Sequence, residues 1–413
     1  MFLILAMFIG FLCSRAIGSV AIFLFVVNAL RDVHPKRWFR QKWWLLGLVW
    51  IGMYAVSWFW TDSQEGWNDH IQVKIPFLIL PLGFAFLPRW DKKEIRTFSV
   101  ILLGTMASGV IYSLSFLFRN MDALVESYKY SKLLKVPVYG DHISFSTAVA
   151  VCVAWCFYSL PAWKTDIGRW LILFVAGFFV IYLHILAAKT GLVVLYVFLA
   201  ACAVRLFLKN KWKGLLVIIA GIAGIVITYF MVPTFHERVN YTWLTYLHYF
   251  NGQRDSNYSD AGRLISYELA WKLIRMHPFI GVGAGDMLTK MGQMYDLYHP
   301  AVPQAQRLIP HNQLLTIALA TGIPSMLAFV WWIAAPLCHV KKDREGFFFV
   351  AVWIMLLVLL FTDPALEVQF GVFVYLFFLL LQRKLMLQET AAHYDEFHPS
   401  FPAEDRSLPG RDT

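Results

Sequence analysis

Apolar residues in this chain occur in long runs that are separated by short polar connections. A helix needs about 20 apolar residues to cross the hydrocarbon core of a bilayer, so runs of this length predict helices that span a membrane. About twelve spans are predicted, or about eleven if the first two merge, and they cover residues 2–13, 16–30, 43–61, 71–88, 96–118, 142–160, 169–187, 190–208, 214–232, 312–338, 347–362 and 365–382. The pattern predicts an all-α polytopic membrane protein.

Composition agrees with this prediction and argues against nucleic acid as a partner. Hydrophobic residues make up 59% of the chain and charged residues only 15%, whereas about 25% of an average soluble domain is charged. The net charge of +10 could indicate binding to nucleic acid. Membrane proteins, however, carry an excess of Lys and Arg on their cytoplasmic connections, so we predict no nucleic-acid partner.

The positive charges also predict the orientation of the spans. Lys and Arg are concentrated in alternate connections, which are 31–42, 89–96, 209–213 and 339–345. The positive-inside rule places these connections in the cytoplasm. The opposite, outer side receives three polar connections, which are 62–70, 119–141 and 233–310.

Four parts follow from this organisation. Residues 1–232 form an N-terminal bundle of about nine spans, 233–310 form a large outer segment, 311–384 form the C-terminal spans, and 385–413 form a disordered cytoplasmic tail. The outer segment contains an amphipathic helix at 262–277, whose predicted apolar face consists of Leu264, Tyr267, Trp271 and Ile274.

Three basic residues on the outer side are candidates for chemistry. His311 begins a span, and an imidazole that titrates near neutral pH suits a general base, although such residues are more often structural. Arg263 opens the amphipathic helix, where it is either solvated or holds a phosphate through two parallel hydrogen bonds. Lys189 lies between two spans, where it either snorkels to the interface or pairs with an anionic head group.

Two carboxylates lie at the last outer turn. Asp363 and Glu367 lie four positions apart, at i and i+4, and acids near membrane depth are costly unless they are functional or paired. They are predicted to pair with Arg263 or Lys189, or to form a structural ion pair. The dipeptide Asp141-His142, at another outer span start, is a weaker candidate.

A glycine-rich turn follows the amphipathic helix and contains Gly281, Gly283 and Gly285. It lacks a preceding strand and the GxGxxG spacing, so it is not a dinucleotide motif. We predict a backbone turn that approaches either the substrate or the amphipathic helix. The five cysteines lie in or beside apolar runs without metal-ligand spacing, and no HExxH, CxxC, Walker or GxSxG pattern occurs. No metal or cofactor is therefore predicted.

The order of these motifs resembles the O-antigen ligase and O-antigen polymerase superfamily, which shares the Wzy_C region. The matching motifs are Lys189-Thr190-Gly191, Gly262-Arg263, Trp271, the segment from Pro278 to Gly285, His311-Asn312-Gln313-Leu314-Leu315, and Thr321-Gly322-Ile323-Pro324. The topological resemblance covers nearly the whole chain.

This resemblance implies a GT-C-like, metal-independent glycosyltransferase of the bacterial inner membrane, with a periplasmic active face. It implies a glycan donor on undecaprenyl diphosphate and a sugar hydroxyl as acceptor. His311 matches the family's essential histidine, which is proposed as the base, and Asn312 follows it. Arg263 matches an arginine that binds the donor diphosphate. Lys189 occupies a position where ligases usually carry arginine.

The resemblance favours an O-antigen ligase that transfers glycan to lipid A–core, with an O-antigen or exopolysaccharide polymerase as the alternative. A transporter of lipid-linked sugars is disfavoured, because no internal repeat occurs and polar residues cluster at the outer face rather than at mid-depth. A protein O-glycosylating transferase is disfavoured because such enzymes often carry extra periplasmic sequence at the C-terminus, whereas the tail of this chain is predicted to be cytoplasmic.

Overall fold

The computed structural model describes residues 1–32, 47–117, 121–129, 133–138, 140–251 and 259–397. Within these residues the secondary structure is helical and contains no strand. Seven of the described helices are long and apolar enough to cross a membrane. The predicted all-α class is thus confirmed for the described residues, and the seven helices are consistent with a polytopic membrane protein. Most of the basic residues of the predicted cytoplasmic segment 31–42 lie outside the described residues.

The helices are numbered in chain order. The first nine are α1 (Phe2–Cys13), α2 (Arg15–Ala29), α3 (Gly47–Val56), α4 (Gln64–Ala85), α5 (Lys92–Leu117), α6 (Met121–Tyr128), α7 (His142–Ser159), α8 (Asp166–Leu186) and α9 (Lys189–Lys209). The others are α10 (Lys211–Met231), α11 (Pro233–Phe250), α12 (Ser259–Met276), α13 (Met287–Tyr298), α14 (Gln313–Thr321), α15 (Ile323–Ala334), α16 (Arg344–Thr362) and α17 (Gln369–Phe397). The first residues of the predicted tail therefore continue α17.

The first two predicted spans form a helical hairpin rather than one merged helix. The chain turns at Ser14, whose backbone is extended between α1 and α2. A Cβ atom on Gly10 would lie 2.3 Å from the backbone nitrogen of Gly18, so the two helices meet backbone to backbone. With 12 and 15 residues, each helix is shorter than the span of about 20 residues that a bilayer requires.

The bundle has a buried centre and one strongly exposed helix. Helix α7 and the apolar part of α17 are almost completely buried. Small residues such as Ala150 and Ala154 line α7, which allows neighbouring helices to approach closely. Helix α10 instead exposes apolar side chains, including Leu216 and Phe230, over most of its surface. Such a surface requires apolar surroundings, which a bilayer provides.

The connections collect at two ends of the bundle, grouped as the positive charges predicted. At one end the N–H of Asp62 donates to the carboxylate of Asp286 at 2.8 Å, which joins two predicted outer segments. At the other end the guanidinium of Arg344 donates to the carbonyl of Tyr158. We call these the outer end and the inner end.

The predicted single span 312–338 is wrong in one respect, because it is broken at Gly322. Helix α14 stops before this glycine, which has φ 88°, and Pro324 cannot continue a preceding helix because it lacks a backbone N–H. The N–H of Ile323 donates instead to the carbonyl of Pro278 at 2.8 Å. The outer segment therefore packs into the break.

The amphipathic helix exists as α12, but its predicted apolar face is only partly correct. Ile265, Leu269 and Leu273 are buried, together with the predicted Ile274, whereas Trp271 is 52% exposed. Helix α12 packs against α11, α13 and α14. Those contacts bury an aliphatic stripe beside the predicted one and leave the tryptophan at the rim.

Candidate active site

The start of α14 fixes the position of His311 at the outer end. The side-chain oxygen of Asn312 accepts hydrogen bonds from the N–H groups of Leu314 at 2.9 Å and Leu315 at 3.2 Å, which is how an N-cap residue begins a helix. The phenol of Tyr267 donates to the backbone carbonyl of His311 at 2.7 Å. The histidine is therefore held by α12 as well as by the cap.

The imidazole of His311 is paired with a carboxylate. Its Nδ1 atom lies 2.9 Å from Oδ1 of Asp363, and the two side chains are 21% and 14% exposed. Asp363 follows the last residue of α16. An ionised carboxylate only accepts hydrogen bonds, so the ring nitrogen that faces it carries the proton. The Nε2 atom is then left with a lone pair that can accept a proton from a substrate.

Glu367 does not pair with Arg263 or Lys189, which corrects one predicted alternative. Its carboxylate contacts Nζ of Lys74 at 2.7 Å and Nδ1 of His70 at 2.8 Å, and its side chain is 4% exposed. Burial alone would raise the pKa of Glu367, but Lys74 and His70 outweigh burial and lower that pKa below its ordinary value. The group is therefore a buried ion pair.

Lys74 and His70 were missed as site residues by sequence reasoning, although a signal existed. Lys74 lies inside the predicted span 71–88, where a charged side chain is costly without a partner. In the structure Lys74 is fully buried and also donates to the carbonyl of Leu366 at 2.8 Å.

Gln313 connects this buried pair to the histidine. Its amide nitrogen donates to Glu367 at 2.8 Å, and its amide oxygen accepts from the N–H of Leu366 at 2.8 Å. Gln313 comes two residues after His311. The buried cluster thus holds the 363–367 connection against α14, which positions Asp363 beside His311.

Lys189 shares an aromatic neighbour with a second cation. It begins α9 two residues after Ala187, whose left-handed backbone (φ 47°) makes the tight turn from α8. Nζ of Lys189 lies 5.8 Å from the ring centroid of Tyr241, and the guanidinium of Arg238 lies 5.5 Å from the same centroid. Arg238 is 8% exposed and was not among the predicted site residues.

Arg238 and Asp363 share an electrostatic neighbour, His142. His142 interacts with Arg238 and with Asp363. Asp141 also interacts with Asp363, and burial raises the pKa of the Asp141 carboxyl although hydrogen bonds from Ser144 oppose that rise. The weak sequence candidates Asp141 and His142 therefore interact electrostatically with the carboxylate that pairs with the candidate base.

Arg263 lies beside the segment that leads to His311. A Cβ atom on the preceding Gly262 would lie 3.5 Å from Leu308, three residues before the histidine. Arg263 is partly exposed. No carboxylate pairs with it among the residues that the structure describes. Its guanidinium is available to an anionic ligand.

The glycine turn packs against α14 rather than against the amphipathic helix. The N–H groups of Val282 and Gly283 donate to the carbonyls of Leu319 at 2.8 Å and Ala320 at 3.0 Å, which caps the C-terminal end of α14. Gly281 and Gly283 have φ values of 68° and 96°. The turn is thus a packing element of the α14–α15 break.

Gly285 belongs to the same packing arrangement. A Cβ atom at this position would lie 2.1 Å from the carbonyl oxygen of Ser63. The neighbouring Asp286 is buried and accepts hydrogen bonds from the N–H groups of Asp62 and Ser63, both at 2.8 Å. The glycines therefore join the 61–66 connection to the outer segment.

Gly281→Ala is expected to destabilise the protein by about 1–3 kcal/mol, because φ is positive there. The new Cβ atom would also lie 2.5 Å from backbone atoms of Leu319, Ala320 and Thr321. Gly292→Ala is the control, because no atom lies within 4 Å of its Cβ position on α13. Thermal unfolding in detergent measures both variants. Equal stability of Gly281→Ala and wild type would refute the packing role.

Comparison with known proteins identifies the region that contains these residues. Residues 174–330 match the family described as O-antigen ligase, Wzy_C. This stretch is similar to the O-antigen ligase family. It runs from α8 into α15 and includes Lys189, Arg238, Arg263 and His311, which confirms the resemblance to the O-antigen ligase and polymerase superfamily. No curated protein matches the chain.

Proposed function

We propose that the protein is a periplasm-facing glycosyltransferase of the bacterial inner membrane that acts as an O-antigen ligase. It transfers a glycan from undecaprenyl diphosphate to a sugar hydroxyl of lipid A–core. The family match supports O-antigen ligase or polymerase activity in general. The observation that carries the specific proposal is the pairing of His311 with Asp363 at 2.9 Å, at the end of the bundle where Lys189 and Arg238 lie.

The proposed reaction is a displacement at the anomeric carbon of the donor glycan. Nε2 of His311 accepts the proton of the acceptor hydroxyl as the hydroxyl oxygen attacks that carbon. The bond between the carbon and the diphosphate oxygen breaks, and its electron pair leaves with undecaprenyl diphosphate. Asp363 stabilises the imidazolium that forms, as carboxylates do in histidine-dependent hydrolases. The imidazolium then loses its proton to solvent.

Cationic side chains stabilise the departing diphosphate in this proposal. Lys189 and Arg238 flank Tyr241, and Arg263 supplies a second guanidinium. Preorganised positive charge lowers the barrier where negative charge develops, so no metal is needed. A diphosphate is already a good leaving group, so no general acid is needed either. Arg238 supplies the guanidinium that ligases usually carry at the position of Lys189.

Arg263→Lys and Arg238→Lys are each expected to lower kcat/KM for the donor about 10- to 100-fold, because lysine loses the two parallel hydrogen bonds to phosphate. Arg275→Lys is the matched control, because Arg275 lies exposed in the last turn of α12. Initial rates at varied donor concentration provide the measurement. Wild-type rates in both test variants would exclude bidentate binding.

An O-antigen polymerase is the second candidate, favoured by the lysine at position 189. Deletion of the gene distinguishes the two functions. A ligase deletion removes capped lipopolysaccharide and accumulates lipid-linked polymer, whereas a polymerase deletion leaves lipopolysaccharide capped with a single repeat. If the deletion changes neither product, the proposed function is wrong.

A further inference from the structure

A cavity of about 750 Å³ lies between α2 and α4, apart from the histidine pair. Both helices begin at the outer end. There Nδ1 of His70 on α4 contacts Glu367, and the side chain of Gln369 donates to Ser19 on α2. The cavity therefore extends from the outer end along two neighbouring helices.

The lining changes from polar to apolar with depth. On α2, Arg15 and Ser19 are followed by Ile22 and Phe23, and on α4 the polar Asp69 and His70 precede the lining residues Val73, Ile75, Pro76 and Ile79. With a rise of 1.5 Å per residue, ten residues of α4 extend about 15 Å. A polar mouth above an apolar channel of this depth matches the polar head and acyl chain of a lipid.

The cavity also opens sideways. Phe23 is 60% exposed and Ile75 is 44% exposed, although both line it. In a membrane this opening faces the acyl chains of the bilayer. A water-soluble ligand would leave the apolar depth unfilled, whereas a lipid can enter from the side and fill both parts.

The charges at the mouth indicate the type of head group. The guanidinium of Arg15 lies 5.2 Å from the ring centroid of Phe370, and no carboxylate pairs with it among the described residues. A guanidinium held in this way can bind a phosphate. Asp69 also lines the cavity, is exposed and can accept hydrogen bonds from sugar hydroxyls. Together they fit a phosphorylated sugar better than a simple phospholipid head.

The cavity also adjoins the candidate base. Glu367 forms part of its wall and holds Gln313, which follows His311 by two residues. The cations Lys189 and Arg238 lie on α9 and α11, which do not line the cavity. The donor cations and the cavity therefore use different helices of the same outer end.

We propose that this cavity binds the anchor of the acceptor, an acylated and phosphorylated sugar lipid, while the donor is held by the cations on α9 and α11. This inference rests on the proposed transferase function. Such an enzyme has two membrane-anchored substrates. Separate binding sites allow both substrates to reach His311 at the same time.

Val73→Trp tests the inference by filling the apolar depth of the cavity. Purified protein in nanodiscs is assayed with lipid A–core and with the same glycan after its acyl chains have been removed. We expect KM for the acylated acceptor to rise at least about tenfold, because a few methylene groups of the acyl chain would no longer be buried in the cavity. Donor KM and rates with the deacylated acceptor should stay unchanged. Val226→Trp, on the exposed surface of α10, is the control.

Equal effects on both acceptors, or no effect on either, would overturn the inference.

A binding experiment keeps the acceptor assignment testable even if the wild type shows no transfer. Phe23 is replaced by p-benzoylphenylalanine and irradiated with acylated, phosphorylated disaccharide lipid. We expect a crosslink that excess sugar lipid suppresses and excess phosphatidylglycerol does not. No crosslink, or equal suppression by phosphatidylglycerol, would reject the acceptor assignment independently of the transferase assay.

Discussion

Replacement of His311 by alanine is expected to lower glycan transfer by about 10²- to 10⁴-fold, the contribution of a positioned general base. The reason is that the variant lacks the imidazole that accepts the proton from the attacking hydroxyl. The variant should reach the membrane at normal abundance, because the helix cap at Asn312 is unchanged. Transfer is measured with purified protein, and His277→Ala, an exposed histidine after α12, is the control. Full transfer by His311→Ala at normal abundance would remove the proposed base.

Asp363→Asn separates the chemical role of the pair from its geometry. The amide is nearly the same size as the carboxylate, but its NH₂ group can donate to Nδ1 of His311. That hydrogen bond would place the ring proton on Nε2 and block proton acceptance. We therefore expect kcat to fall strongly while KM for both substrates changes little. A rise in KM with unchanged kcat would instead indicate a binding role for Asp363.

Glu367→Leu is expected to destabilise the protein by about 3–5 kcal/mol, because it leaves a buried charge without its partner. That charge belongs to Lys74, whose side chain is 1% exposed. Adding Lys74→Met should recover much of the loss, since a buried ion pair can be replaced by apolar groups. Glu268→Leu is the control, because its pair with Lys272 is partly exposed and should contribute less than about 1 kcal/mol. Unfolding in detergent measures all four proteins.

The pH dependence of the same pair has a defined sign. Burial opposes ionisation, yet Lys74 and His70 hold the pKa of Glu367 below its ordinary value. The stabilisation is therefore fully present above the ordinary pKa range of a carboxyl group and is lost as pH falls through the lower, folded-state pKa. The Glu367→Leu protein should lack this acid-dependent loss. An identical acid dependence in wild type and variant would show that other groups cause it.

The double variant also tests how the buried pair supports the candidate base. Glu367 holds Gln313 at 2.8 Å, and Gln313 binds the backbone of Leu366. If this cluster positions Asp363, the Lys74→Met/Glu367→Leu protein should regain stability but transfer more slowly than wild type. Recovery of both properties would show that the pair contributes to stability alone.

Much of the fold could be predicted because its causes are local. Most apolar runs coincide with helices in the described residues, since length and hydropathy are local properties that decide whether a segment can cross a membrane. The break at Gly322 was missed although its Gly-Ile-Pro sequence is a local signal, because the apolar run continues through it. The buried face of α12 was only partly predicted, since the neighbouring helices select which of two adjacent apolar stripes is covered.

The sequence by itself determined the helical membrane class and the choice of His311, Arg263 and Lys189 as candidate residues, because motif order and hydropathy can be read along the chain. Only the tertiary structure decided their partners. His311 meets Asp363 across 52 residues, and Glu367 meets Lys74 across 293. Several cations were equally plausible partners for each carboxylate. The packing of α4, α14 and α16 at the outer end selects among them, because a buried charge must be placed within hydrogen-bonding distance of its counterpart.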